Sequence, residues 1–275
     1  MTAVGTARRG ARRTADSGLL VGLTRMGFIG YGLLHLAIAW LAVQIALGNA
    51  ANTGDQSGAL GTLVAQPFGR FLLWLIVVGL CAMAIWQLLV AAVGHRDKHG
   101  RSRVMERVAS GARVLVYAAL AFTAFKVVTG AGASSGDQQQ NATAGIMAKP
   151  AGQFLVALVG LVVVAVGVGL VFYGWKRKFE DKLLIGRMSQ RVRQLARRLG
   201  QFGYVAKGIA FAIVGVLLLD AALTHNPAKS RGLDAALRAL AHQPFGVFLL
   251  IAVGIGFAAF GVYCFIQARY RKVGS

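Results

Sequence analysis

The run from Phe71 to Val93, FLLWLIVVGLCAMAIWQLLVAAV, is 23 residues long and contains no charge. At 1.5 Å per residue a helix of this length reaches about 34 Å, enough to cross the roughly 30 Å hydrocarbon core of a bilayer. Five further runs are uncharged or nearly so: Met26–Leu47, Val114–Thr129, Phe154–Trp175, Gly208–Thr224 and Val247–Ala268. They are continuous and rich in Leu, Ala, Val and Gly, whereas the strands of a membrane barrel are about ten residues long and alternate apolar with polar. The expected fold is therefore all-α and polytopic, with six transmembrane helices.

Composition agrees. Of 275 residues 56% are hydrophobic and 14% charged, and mean hydropathy is +0.62. These values exclude an ordinary soluble domain, and with it a soluble nucleic-acid binder, despite a formal charge of +21. Of the 30 Lys and Arg, 24 fall before Arg25 or at it, in 96–113, in 176–207 and in 269–272. The other six are Arg70, Lys126, Lys149, Lys229, Arg231 and Arg238. The positive-inside rule then places both termini in the cytoplasm of a cell (inner) membrane protein, with three polar loops outside. Arg8, Arg9, Arg12 and Arg13 read as a cytoplasmic flank, since no compact apolar core and cleavage pattern follows them. Cys81 and Cys264 lie inside apolar runs and read as small buried hydrophobes.

Three of the four prolines share one context: Gln66-Pro67-Phe68-Gly69-Arg70, Lys149-Pro150-Ala151-Gly152-Gln153 and Gln243-Pro244-Phe245-Gly246-Val247. Upstream lie Gly27-Phe28-Ile29-Gly30-Tyr31-Gly32, Ala109-Ser110-Gly111-Ala112-Arg113-Val114 and Gly203-Tyr204-Val205-Ala206-Lys207-Gly208, separated from those prolines by 40, 41 and 41 residues. Fixed spacing between two landmarks in three copies indicates three helix hairpins of one design, arranged about a pseudo-threefold axis. The prolines are expected at the first helical position of the second helix of each hairpin. Before them, Leu60 with Leu63, Thr143 with Ile146 and Leu237 with Leu240 mark short helices lying in the outer interface. The resulting division is 1–25, a basic segment; 26–95, repeat 1; 96–107, a basic loop; 108–175, repeat 2; 176–200, a basic amphipathic segment; 201–268, repeat 3; and 269–275, a tail.

These boxes resemble the membrane family known as domain of unknown function 1206, whose members repeat a two-helix unit three times. The likeness runs from about Arg25 to Arg269, and the middle copy departs from it at Ala109, Val114 and Ala151. The resemblance implies the fold and no activity.

Counting equally into each repeat, Gln44, Lys126 and Asp220 are equivalent, as are His35, Tyr117 and Phe211. Charged groups near mid-helix cost roughly 2.5–3.5 kcal/mol on insertion scales, so a Lys126–Asp220 ion pair with Gln44 as a further partner is expected, serving bundle register or an ion path. His35 is a candidate titrating group or a packed helix contact. The 176–198 segment, with Lys176, Arg177, Lys178, Arg191, Arg197 and Arg198, reads as a basic amphipathic helix facing anionic phospholipid. His95 and His99 sit among repelling cations and read as a solvated loop, and Gly160, Gly167, Gly169, Gly254, Gly256 and Gly261 as sites of close helix packing. No paired carboxylates, Cys/His cluster or Ser/His/Asp set is present, so no metal, cofactor or enzymatic activity is expected. Two function classes remain. The first is a non-enzymatic structural or accessory membrane component whose partners are the lipid bilayer and another membrane protein, not nucleic acid. The second is a small transporter or channel using the Lys126/Asp220/Gln44 cluster.

Overall fold

The computed structural model describes residues 18–48, 56–64, 66–93, 100–131 and 134–272. It is all-helical, with nine α-helices among the described residues: α1 Gly18–Ala46, α2 Gln56–Val64, α3 Gly69–Val93, α4 Gly100–Val128, α5 Ser135–Met147, α6 Gly152–Trp175, α7 Gln190–Leu223, α8 Leu233–Ala241 and α9 Gly246–Tyr270. Six of them (α1, α3, α4, α6, α7 and α9) are long and apolar enough to cross a membrane. The other three are the short helices expected before the prolines. Leu60 and Leu237 are fully buried beneath them, whereas in the middle copy Thr143 is buried and Ile146 exposed.

The three proline boxes fold alike. The N–H groups of Gly69, Gly152 and Gly246 each donate to the carbonyl three residues back, at Gln66, Lys149 and Gln243, over 2.9 Å. Each is a turn with proline at its second position and Phe68, Ala151 or Phe245 at its third, at φ 64°, 59° and 63°. That third residue's carbonyl then accepts the first helical bond, from Leu72, Leu155 and Leu249. The prolines thus precede the helices by two residues and do not occupy the first helical position; they fix the turn instead. The glycine that follows is sterically required. A Cβ there would collide with Leu63 O, Ile146 O or Ala241 O in the preceding short helix.

Glycine also decides which spans meet. In repeat 1 a Cβ built on Gly79 of α3 would come within 2.7 Å of Gly30 Cα on α1, and Gly27 rests on Met83. In repeat 3 Gly256 of α9 rests on Ala206 of α7, and a Cβ on Gly203 would come within 2.7 Å of Phe260 Cα. The middle repeat carries Ala109, Ala112 and Val162 at these positions, and Val162 is exposed. Accordingly α1 packs on α3 and α7 on α9, but α4 and α6 share no substantial contact. Between repeats α3 packs on α4, α6 on α7 and α9 on α1. The contacts do not confirm the expected pseudo-threefold arrangement: the helices run α4, α3, α1, α9, α7, α6 as an open arc. The seam lies inside repeat 2. Gly160, Gly167, Gly254, Gly256 and Gly261 all lie at close helix contacts, whereas Gly169 has nothing within 4 Å.

The segment after α6 departs from the expected amphipathic helix. Lys178–Lys182 and Ile185–Arg187 are 3₁₀ turns, and α7 then runs unbroken through the boundary at 200 and 201. Burial of Phe179 is the reason: its ring sits over Gly200 and packs against Tyr204 and Tyr263 at 5.5 and 5.3 Å. Leu183 pairs with Arg271, and Lys272 N–H donates to Lys182 O at 2.9 Å, tying the turns to the end of α9.

The turn geometry sets two opposite expectations for melting in detergent. Gly152→Ala should destabilise by several kcal/mol, because the methyl has no space. Ala151→Gly should be neutral or stabilising by about 0.5–1 kcal/mol, because the left-handed conformation costs alanine more than glycine.

Candidate functional site

The most unusual side chain inside the arc is Lys207. It lies halfway along the 34-residue α7, far from either helix end. Its ammonium donates to the Tyr31 hydroxyl of α1 and lies 3.4 Å from His35 Nε2. It also sits over the rings of Phe260 and Tyr31, 4.4 and 4.7 Å from their centroids. Among the described residues no carboxylate pairs with it. Glu180 is bound to Arg197, Asp220 to Lys229, Asp137 to Arg231, and Asp234 to Arg231 and Arg238.

The imidazole is oriented by the backbone. His35 Nδ1 is 2.8 Å from the Tyr31 carbonyl, which only accepts, so in the neutral ring Nδ1 carries the hydrogen. The lone pair of Nε2 then faces Lys207. Tyr31, His35 and Phe260 are buried, and the Tyr117 ring of α4 meets Tyr31 edge-on at 5.2 Å. Lys207 and Tyr117 remain partly exposed although both lie deep along their helices. Arg113, one helical turn before Tyr117, is a second cation on that side of α4.

Toward the end of the bundle that carries most of the Lys and Arg, an aromatic cluster continues from this centre. Tyr204 meets Phe260 at 5.1 Å, and Phe179 closes the cluster against Tyr204 and Tyr263. Arg271 lies over the rings of Phe28 and Trp86, at 5.2 and 5.4 Å.

Of the residues singled out in the sequence, the structure brings together only part. Lys126 and Asp220 do not meet: Asp220 is held by Lys229 at 2.7 Å, and Lys126 Nζ lies over its own helix's Phe122 at 5.4 Å. The split middle hairpin is the reason, since α4 and α7 then lack a shared face. Gln44 lies near the same end of the bundle as these two, half-buried. His35 and Tyr117 do converge, with Phe211 left exposed. In the basic segment Arg197 is engaged twice by Glu180, at 2.8 and 3.1 Å, and Arg177 donates to Gln201 Oε1 at 3.2 Å. Lys176, Lys178, Arg191 and Arg198 are exposed. His95, His99 and the N-terminal arginines fall outside the described residues.

Lys207 was missed because its span is read from the sequence as starting at Gly208, which assigns the lysine to the basic flank. One signal was present. Tyr31, Arg113 and Lys207 occupy the same place in the three upstream boxes, one helical turn before His35, Tyr117 and Phe211.

Because Lys126 and Asp220 are apart, Lys126→Met and Asp220→Leu should change thermal stability additively in a double-mutant cycle. An interaction free energy outside about 0.5 kcal/mol would show that the two side chains meet after all.

The comparisons with known proteins agree with this repeat structure. The model of the family described as Domain of Unknown Function (DUF1206) matches three times, over residues 26–94, 108–177 and 202–271. The "Uncharacterized protein YxxB" of Bacillus subtilis (strain 168) is 30% identical over 251 residues, covering 90% of each chain. No solved structure matches. Three tandem matches and a relative aligned along nine-tenths of its length establish that this chain belongs to the DUF1206 family.

Proposed function

We propose that this chain is a multi-pass protein of the cell (inner) membrane, with cytoplasmic termini, that binds or passes a small charged solute at the cleft around Lys207. It carries no catalytic set in this reading. One observation supports it above all: a lysine ammonium held halfway along α7, among aromatic rings and without a carboxylate partner among the described residues. Cation–π contacts and two hydrogen bonds offset part of the cost of placing a charge there, but an apolar residue would avoid that cost altogether. A residue serving only stability has no need of that charge.

A second reading has its own support. The spans α4 and α6 are the least buried of the six, with Leu115, Phe122, Phe154 and Leu161 among their exposed residues. That flank suits a partner membrane protein, which is the structural or accessory role. In either case the exposed Lys176, Lys178, Arg191 and Arg198 suit anionic phospholipid at the cytoplasmic leaflet, each contributing about 1 kcal/mol near the surface.

Lys207→Met separates the two readings. If the cleft handles a solute, this variant should melt at or above the parent's temperature in detergent and yet fail to complement the deletion phenotype. A large fall in melting temperature with intact complementation would assign Lys207 a structural role. Orientation is checked by an impermeant maleimide on intact cells. Single cysteines at Gln138 and His225 should label from outside, and ones at Gly186 and Gln190 should not; the reverse pattern would invert the topology.

A further inference from the structure

Resting on the reading of the cleft as a solute site, the donors and acceptors around Lys207 identify the solute's charge. An ammonium has three hydrogens to give and no lone pair. One goes to the Tyr31 hydroxyl and one faces His35 Nε2, which leaves a third. The Tyr31 hydroxyl also shares a hydrogen bond with the Tyr117 hydroxyl, which leaves one hydrogen of that pair to donate. His35 has no donor left in its neutral form, because Nδ1–H is directed at the Tyr31 carbonyl. The centre therefore has two surplus donors, a net positive charge and no paired acid. Arg113 adds a second cation on the α4 side.

A second, independent observation points the same way. Near the aromatic cluster toward the basic end, the Trp86 indole N–H, the Tyr263 hydroxyl and the Arg271 Nε–H are buried with no hydrogen-bond partner among the described residues. All three have a hydrogen to give. Gln87 Oε1, an acceptor on the same helix as Trp86, is also buried without a partner among the described residues. Buried donors without acceptors are costly, and a negatively charged group relieves that cost most strongly because its hydrogen bonds are charge-assisted. The rings of Tyr31, Tyr117 and Phe260 pack beside the ammonium, and such apolar walls offer little to a heavily hydrated group.

We propose that the cleft binds one monovalent anion, a halide or a carboxylate, with Lys207 Nζ and the Tyr31 hydroxyl as its donors. The test uses the full chain in neutral detergent, melted at fixed ionic strength in sodium chloride, sodium acetate or submicellar sodium laurate. Sodium gluconate, whose polyhydroxylated chain is strongly hydrated and ill-suited to aromatic walls, is the reference. The three arms distinguish an inorganic ion, a small acid and a lipid-derived acid. At least one should raise the melting temperature saturably, by about 5 °C at hundredfold excess over its Kd. Lys207→Met should abolish the effect. Tyr31→Phe keeps the ring and removes the donor, so it should raise the half-saturating concentration about tenfold, and it serves as the test on its own if Lys207→Met does not fold.

No saturable shift with any of the three anions, or an equal shift in parent and both variants, would overturn the inference. Movement of cations or protons through reconstituted vesicles without any anion effect would also overturn it, while leaving the solute-site reading intact. Anion binding in detergent that depends on Lys207, without movement through vesicles, would uphold the inference and leave binding in place of passage.

Discussion

The close approach of helix backbones at glycine governs this molecule. In a bilayer the lipid tails are as apolar as the side chains, so burial of hydrophobic surface does little to choose one helix neighbour over another. Van der Waals contact between backbones does, and small residues permit it. Gly79 on Gly30 and Gly256 on Ala206 close the first and third hairpins, while Gly32 with Gly261 and Gly167 with Gly208 join one repeat to the next. Where repeat 2 places Val162 in the corresponding position, the hairpin parts. A near-threefold plan thus becomes an arc with one open seam.

The polar centre lies among α1, α7 and α9, with Tyr117 of α4 beside it. Lys207 extends from α7 toward α1, where Tyr31 and His35 receive its hydrogens and the rings of Tyr31 and Phe260 face its charge. The repeat supplies the positions for this centre: Tyr31, Arg113 and Lys207 stand at the same place in the three upstream boxes. At the basic end, α6, α7 and α9 are tied together by the turns around Phe179, held to the end of α9 by Leu183 and Lys272.

Much of this was legible in the sequence, for definite physical reasons. A stretch such as Phe71–Val93 has no soluble alternative, and the repeated Pro-X-Gly box names its own turn, although the proline's place two residues before the helix depends on the left-handed residue between them. The short helices followed from paired apolar positions. The Lys126–Asp220 pair did not, because repeat symmetry was assumed to imply contact, and contact across the middle hairpin depends on glycines it lacks. The basic segment misled in another way. Nine cations at 176–198 suggest a surface helix, but Phe179 buries itself and α7 begins at Gln190, so a lysine that looks like flank stands halfway along a helix.

The central claim is that Lys207 donates to His35 Nε2 in the interior of the bundle, and the imidazole nitrogens report it directly. Nitrogen-15 NMR of the full chain, labelled at histidine and reconstituted in lipid, should show His35 with Nδ1 protonated and Nε2 bare, and the Nε2 resonance should move when Lys207 is replaced by methionine. A ring protonated at Nε2, or an Nε2 signal indifferent to Lys207→Met, would contradict the contact and the site built on it.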